Sequence, residues 1–156
     1  MKIKWKPFLI SLAIPLAIGG LSAFVTRDSM ENYQNLNQPP LSPPGWMFPV
    51  VWTILFILMG IASYLVYTSN HPKRKIREAL MVYGAQLIVN FFWPVFFFRL
   101  GWYLFSFFWL ILLWALILGL IFLFYDMSPW AGGMIVPYLL WLTFAGYLNF
   151  GICLLN

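Results

Sequence analysis

The sequence predicts an all-α integral membrane protein, a bundle of five transmembrane helices forming one domain over 1–156. Three observations carry that prediction. The chain is 63% hydrophobic and only 8% charged, whereas a soluble domain averages about 25% charged residues. So little polar surface cannot cover a folded chain in water. Apolar runs near the ~20 residues that a bilayer requires recur along the chain, separated by short polar segments. Finally, the charges sit between those runs or at their ends, where a membrane protein keeps them.

Lys2, Lys4 and Lys6 precede the first span, expected from about Pro7 to Thr26. Pro7 suits a first helical turn, where its missing N–H costs nothing. A cleavable leader has a similar layout. However, the run from Ile14 to Ala23 continues for a full span without a convincing cleavage site, and we read it as retained. The pairs Ala13/Ala17 and Gly19/Ala23 have small-x-x-x-small spacing, which lets helices approach closely. The neighbour is either another helix of this chain or a second copy in a homodimer.

Residues 27–45 are expected to form a polar loop. It runs into the stretch Pro39 to Trp52, in which five of 14 residues are proline. Paired prolines favour extended, stiff backbone. Gly45 and Trp46 mark the point where the chain meets the bilayer interface. The loop reads equally as a lid over a ligand or as a connector with interfacial anchors.

The second span is expected at about Trp46 to Thr68, with Trp52, Phe56, Met59 and Ser63 on one helical face. Such a stripe is ordinarily packing or lipid contact, and less often a pocket wall. A basic loop over residues 69–78 precedes the third span, Ala79 to Phe98. Gln86 and Asn90 lie one turn apart there and should point into the bundle, because amides facing hydrocarbon are costly. They either bond to another helix or contact a ligand. Pro94 should kink this span near Asn90.

The fourth span, Trp102 to Tyr125, is almost wholly apolar and is expected to be the most exposed to lipid. The fifth runs from Pro129 to Leu154, with Trp141, Ala145 and Leu148 on one face. Seven of the nine basic residues fall on the side of the N-terminus. The positive-inside rule therefore predicts a cytoplasmic N-terminus, with the proline-rich loop and the C-terminus outside.

Several function classes are excluded. No phosphate-binding loop, zinc spacing or catalytic triad is present, and no metal site is expected. The net charge of +5 flanks membrane spans and does not mark a nucleic-acid partner. Cys153 is the only cysteine, so no intrachain disulfide forms. The four acids, Asp28, Glu31, Glu78 and Asp126, lie in loops or near helix ends, which disfavours a proton-coupled pump. What remains is 9 Trp, 8 Tyr and 16 Phe with a few amides, a set suited to a large, flat, mainly apolar ligand.

Pro39-Pro40-x-x-Pro43-Pro44-Gly45-Trp46, followed by Pro49-Val50-Val51-Trp52, resembles the signature of the translocator protein family. Its members are also called tryptophan-rich sensory proteins or peripheral benzodiazepine receptors. Gln86-Leu-Ile-Val-Asn90-Phe-Phe-Trp93-Pro94 resembles the helix 3 motif of that family, and Pro137 to Asn149 resembles its helix 5 motif. Gly101-Trp102 also fits, and the likeness covers nearly the whole chain.

The resemblance implies a five-helix bundle, often dimeric, with a pocket under the loop between helices 1 and 2. Ligands of the family include porphyrins such as protoporphyrin IX, benzodiazepine-type drugs and, in animals, cholesterol. By motif position the pocket residues would be Tyr33, Pro43 and Pro44 from the loop, Trp52 and Phe56, Asn90 and Trp93, and Trp141, Phe144, Ala145 and Leu148. A flat macrocycle would stack between Trp52 and Trp141, with Asn90 donating a hydrogen bond. No cofactor is required beyond the porphyrin as ligand. Animal members carry a sterol motif ending in a basic residue. No Lys or Arg follows Tyr147 here, which disfavours cholesterol handling and fits a bacterial member in the cell membrane.

The expected function is therefore porphyrin binding for sensing, transport or light-dependent degradation. In the enzymatic version Trp52 and Trp141 are the redox partners. The alternatives are a small scaffold acting through protein partners and a sterol or lipid transporter.

Overall fold

A computed structural model describes residues 2–156. Helix α1 spans Trp5–Thr26, continues through a 3-10 turn at Arg27–Ser29, and enters a short helix α2, Met30–Gln34. Helices α3 (Met47–Tyr67), α4 (Lys73–Pro94), α5 (Tyr103–Met127) and α6 (Pro129–Leu155) follow, with a π turn at Val95–Arg99 after α4. No strand occurs among the described residues. Five helical segments are long and apolar enough to cross a membrane, which gives the five-span integral membrane protein that the sequence predicts.

The helices pack as a ring in the order α1, α3, α6, α5, α4 and back to α1. The α5–α6 seam is the most extensive, and the α4–α1 seam is thin. Alternation of direction puts the lid and the C-terminus at one end. The N-terminus, the α3–α4 connection and the α5–α6 turn share the other, basic end.

Three local features differ from the sequence expectations. The basic segment after Ser69 becomes helical at Lys73, earlier than Ala79. Pro72 precedes a run of good helix formers, and Arg74 pairs with Glu78 at 3.3 Å one turn on. The expected loop over 27–45 holds helix α2 and is ordered against the bundle. At Pro94 the irregularity lies on the C-terminal side, as the π turn in which Leu100 N donates to Val95 O at 3.0 Å. Proline has already removed one bond from the ladder, so a change of helical pitch there costs little.

The lipid-facing helix is also different from the one expected. Helix α5 buries Ser106, Leu110, Leu113, Ile117, Leu120, Phe124 and Met127, a continuous stripe at helical spacing. Helix α1 buries only Pro15, Ser22 and Thr26. Uniform hydrophobicity hides which helix sits deepest, because lipid and protein neighbours are equally apolar.

Glycines set the closest approaches. A Cβ on Gly60 would lie 2.8 Å from Ser11 O and 2.9 Å from Leu12 Cα, so α1 and α3 cross backbone to backbone there. A Cβ on Gly132 would lie 2.7 Å from Tyr125 Cα, which closes the tight α5–α6 corner. Ser128 caps α6, its hydroxyl accepting from Ala131 N at 3.4 Å, and Pro129 takes the first helical position.

Candidate functional site

Helices α1 and α3 touch at Gly60, near the basic end, and diverge toward the lid. The gap between them is a cleft of about 470 Å³. Pockets for drug-sized ligands span roughly 300–1,000 Å³. Small residues of α1 (Gly19, Gly20, Ser22, Ala23) make one wall. Trp52 and Phe56 of α3 make the opposite wall, stacked at 5.5 Å between ring centroids with a 29° tilt. Asn90 and Trp93 of α4 form the back, and Met30, Gln34 and Gly45 form the roof. The exposed Gly20, Ala23, Pro49 and Thr53 rim the mouth, which opens sideways between α1 and α3 toward lipid.

Gly19 lies where a side chain would fill this space. A Cβ there would collide with the Phe56 ring. Its bare face is turned into its own bundle, so of the two neighbours open to Gly19 the structure shows one within the chain, the Phe56 ring. Gly20, in contrast, has nothing within 4 Å of where a Cβ would stand.

The structure divides the residues expected to form the site. Trp52, Phe56, Asn90 and Trp93 converge on the cleft. Tyr33, Ala145 and Leu148, again with Trp93, surround a separate void of about 10 Å³ under the lid. A void of that size holds at most one water. Trp141 packs edge-on against Phe48 at 6.0 Å and at a 51° tilt against Phe144 at 5.6 Å, and neither Trp141 nor Phe144 lines the cleft. Trp52 meets Tyr138 edge-on at 5.9 Å. Pro43 is buried and Pro44 exposed, both outside the cleft wall.

The lid is strapped to α6. Tyr147 Oη donates to Pro40 O at 2.7 Å, and Asn156 Nδ2 donates to Asn37 O at 2.9 Å. The Pro39 ring occupies the place of a Cβ on Gly151, 2.7 Å away. Tyr33 is 2% exposed and meets Phe48 and Phe98 edge-on at 5.2 and 5.6 Å.

Buried polar side chains link the spans behind the cleft. Gln86 Nε2 donates to Met59 Sδ at 3.8 Å, and Tyr138 Oη donates to Gln86 Oε1 at 2.8 Å. Asn90 Nδ2 then donates to Tyr138 Oη at 2.6 Å. A second chain runs from Trp93 Nε1 to Asn149 Oδ1 at 3.1 Å and from Asn149 Nδ2 to Tyr103 O at 2.7 Å. Asn90 bonds another helix and also faces the cleft. One N–H of its amide is committed to Tyr138 Oη.

Sequence reasoning missed the whole α1 wall and the α2 roof. The cluster Gly19, Gly20, Ser22 and Ala23 was the available signal, but small residues mark a gap as readily as a contact. Among the described residues no group of His, Cys, Asp and Glu could hold a metal ion.

Comparison with known proteins agrees with this architecture. Residues 11–155 match the TspO/MBR family. The tryptophan-rich protein TspO of Chlorobaculum tepidum is 36% identical over 147 residues, covering 94% of this chain and 92% of that protein. The tryptophan-rich sensory protein of Cereibacter sphaeroides is 35% identical over 156 residues, covering 100% of this chain and 95% of its own length. The human translocator protein is 33% identical over 151 residues, with 94% and 88% covered. A match across nearly the full length of both chains, on a five-span bundle, makes this chain a member of the TspO/MBR family.

Proposed function

We propose that this membrane protein binds flat, mainly apolar molecules, porphyrins such as protoporphyrin IX and benzodiazepine-type drugs, in the cleft between α1, α3 and α4. The observation that carries this reading is the cleft itself. It has stacked aromatics on one wall, bare small residues on the other, and one amide at the back. Gly19 already touches Phe56, so a planar ring system would lie beside Trp52, toward Gly20 and Ala23, and burial of its faces would supply most of the affinity. Because the mouth faces lipid, the ligand reaches the cleft from the bilayer. The lid, pinned to α6, is a roof over the site and not the gate.

Within this reading the protein senses, carries or degrades the ligand. Trp52 is one of three indoles lining the cleft, with Trp46 and Trp93, so under light it is a redox partner within reach, ahead of Trp141. The names of the relatives, sensory and translocator, accord with binding. We place the protein in the bacterial cell membrane, with the basic end cytoplasmic.

The test is a protoporphyrin IX titration of purified protein followed by tryptophan quenching, first in the dark and then under illumination. Saturable one-site binding is expected. Gly20→Trp, which fills the mouth where there is room for a side chain, should weaken it at least about tenfold. Unchanged affinity in that variant would remove the cleft from consideration.

A further inference from the structure

We propose that Met59, which does not line the cleft, fixes the hydrogen-bonding polarity of the site, so that its ligand presents a donor to Asn90. The inference rests on the reading that the cleft holds a flat apolar ligand. Which end of an amide is oxygen is decided by its partners. Gln86 is 0% exposed, with one end of its amide at the Met59 sulfur and the other at the Tyr138 hydroxyl. A thioether has lone pairs and no proton, so only the NH₂ can face it favourably. The Gln86 carbonyl must then face Tyr138, and the single phenolic proton goes to it.

With that proton used, Tyr138 Oη can only accept, and the donor at 2.6 Å is the NH₂ of Asn90. Asn90 Oδ1 remains for the cleft and has no hydrogen-bond partner among the described residues. Reversing the chain would set Gln86 Oε1 against the sulfur lone pairs. Two buried acceptors would then face each other, each unsatisfied.

The neighbouring wall has the same sign. The hydroxyls of Ser22, Thr26 and Thr53 donate to the carbonyls of Phe91, Ser22 and Pro49 at 3.3, 2.9 and 2.7 Å, which leaves only lone pairs toward the cleft. Among the described residues, the cleft's side-chain donors without a protein partner are the indoles of Trp46 and Trp52 and the amide of Gln34, toward the lid end, and the second N–H of the Asn90 amide. The fitting ligand is therefore polar in a defined sense. An N–H or O–H lies at its Asn90 end and acceptors lie at its lid end.

Carbazole and dibenzofuran test this, because they share one flat tricyclic shape and differ in a ring N–H or a ring oxygen. Each is titrated against bound protoporphyrin IX in one detergent preparation. In wild type, carbazole should displace porphyrin at about tenfold lower concentration than dibenzofuran. Met59→Leu keeps the volume and removes the sulfur acceptor, so Gln86 can turn, and the ratio should fall to about twofold or less. Tyr138→Phe releases Asn90 directly and should give the same collapse.

A ratio near one in wild type, with porphyrin bound and displaced, overturns the inference while the proposed function stands. A ratio that survives Met59→Leu removes Met59 from the account. If the tricyclics show the preference by direct binding and porphyrin does not bind, the porphyrin reading falls and the polarity inference holds. If nothing binds, both fall.

Discussion

The two sides of the bundle are built differently. Along α5 and α6 the contact is continuous, from the Gly132–Tyr125 corner through Ile117 and Leu113 to the Trp114–Thr143 hydrogen bond at 2.9 Å. Along α1 the backbones of α1 and α3 meet at Gly60 against Ser11 and Leu12, Gly19 meets the Phe56 ring, and beside these contacts a cleft remains. The compositions are nearly alike, and both sides are rich in small and aromatic residues. What differs is where the small residues point. Gly132 brings backbones together and Gly19 lets the Phe56 ring lie against α1, whereas Gly20 leaves space that nothing in the chain fills. The closest packing lies in one half of the ring and the open cleft in the other.

The sharpest test of that division is substitution of the two kinds of glycine. Gly132→Leu forces atoms into the Tyr125 backbone, and overpacking of that sort costs about 3 kcal/mol. The melting temperature in detergent should fall by several degrees or the protein should fail to fold. Gly20→Leu meets open space and should leave the melting temperature unchanged within error. Equal destabilisation by both would mean that the two seams are not different in kind.

Next in size is the contrast between the tryptophans. Trp52→Phe removes part of the cleft wall and should weaken porphyrin binding about 2- to 15-fold, from an aromatic term of roughly 0.5–1.5 kcal/mol. Under illumination at matched occupancy, the same variant should slow porphyrin loss if the protein degrades its ligand. A smaller effect is expected at the strap. Tyr147→Phe loses the bond to Pro40 O, worth about 1 kcal/mol, and should speed amide exchange of residues 37–42 about fivefold with little change in affinity. A large loss of affinity there would make the lid part of the binding step. The smallest effect is at the basic end, where the exposed Lys75–Asp126 pair at 3.3 Å should contribute less than about 0.5 kcal/mol on Lys75→Ala.

The spans were legible because each is a long apolar run bounded by prolines, glycines and charges. Trp52, Phe56 and Asn90 were legible too, since amides and a periodic aromatic face inside a membrane have few other places to point, whereas Trp93 came only from the family motif. Helix α2 was not, because Met30–Gln34 carries no helix signal stronger than its loop neighbours. Nor was the fate of Trp141. Helical spacing tells which residues share a face but not which neighbour that face meets, and here it meets Phe48. The polarity of Asn90 depends on Gln86, Tyr138 and Met59 from three helices, a relation that no local pattern contains.

The central claim is that ligand occupies the α1–α3–α4 cleft and not the space beside Trp141. Protoporphyrin IX titrations of Gly20→Trp and Trp141→Phe, in the same detergent and against wild type, test it most directly. The account predicts at least about a tenfold loss for Gly20→Trp and less than about twofold change for Trp141→Phe. Full affinity in Gly20→Trp together with a marked loss in Trp141→Phe would contradict it.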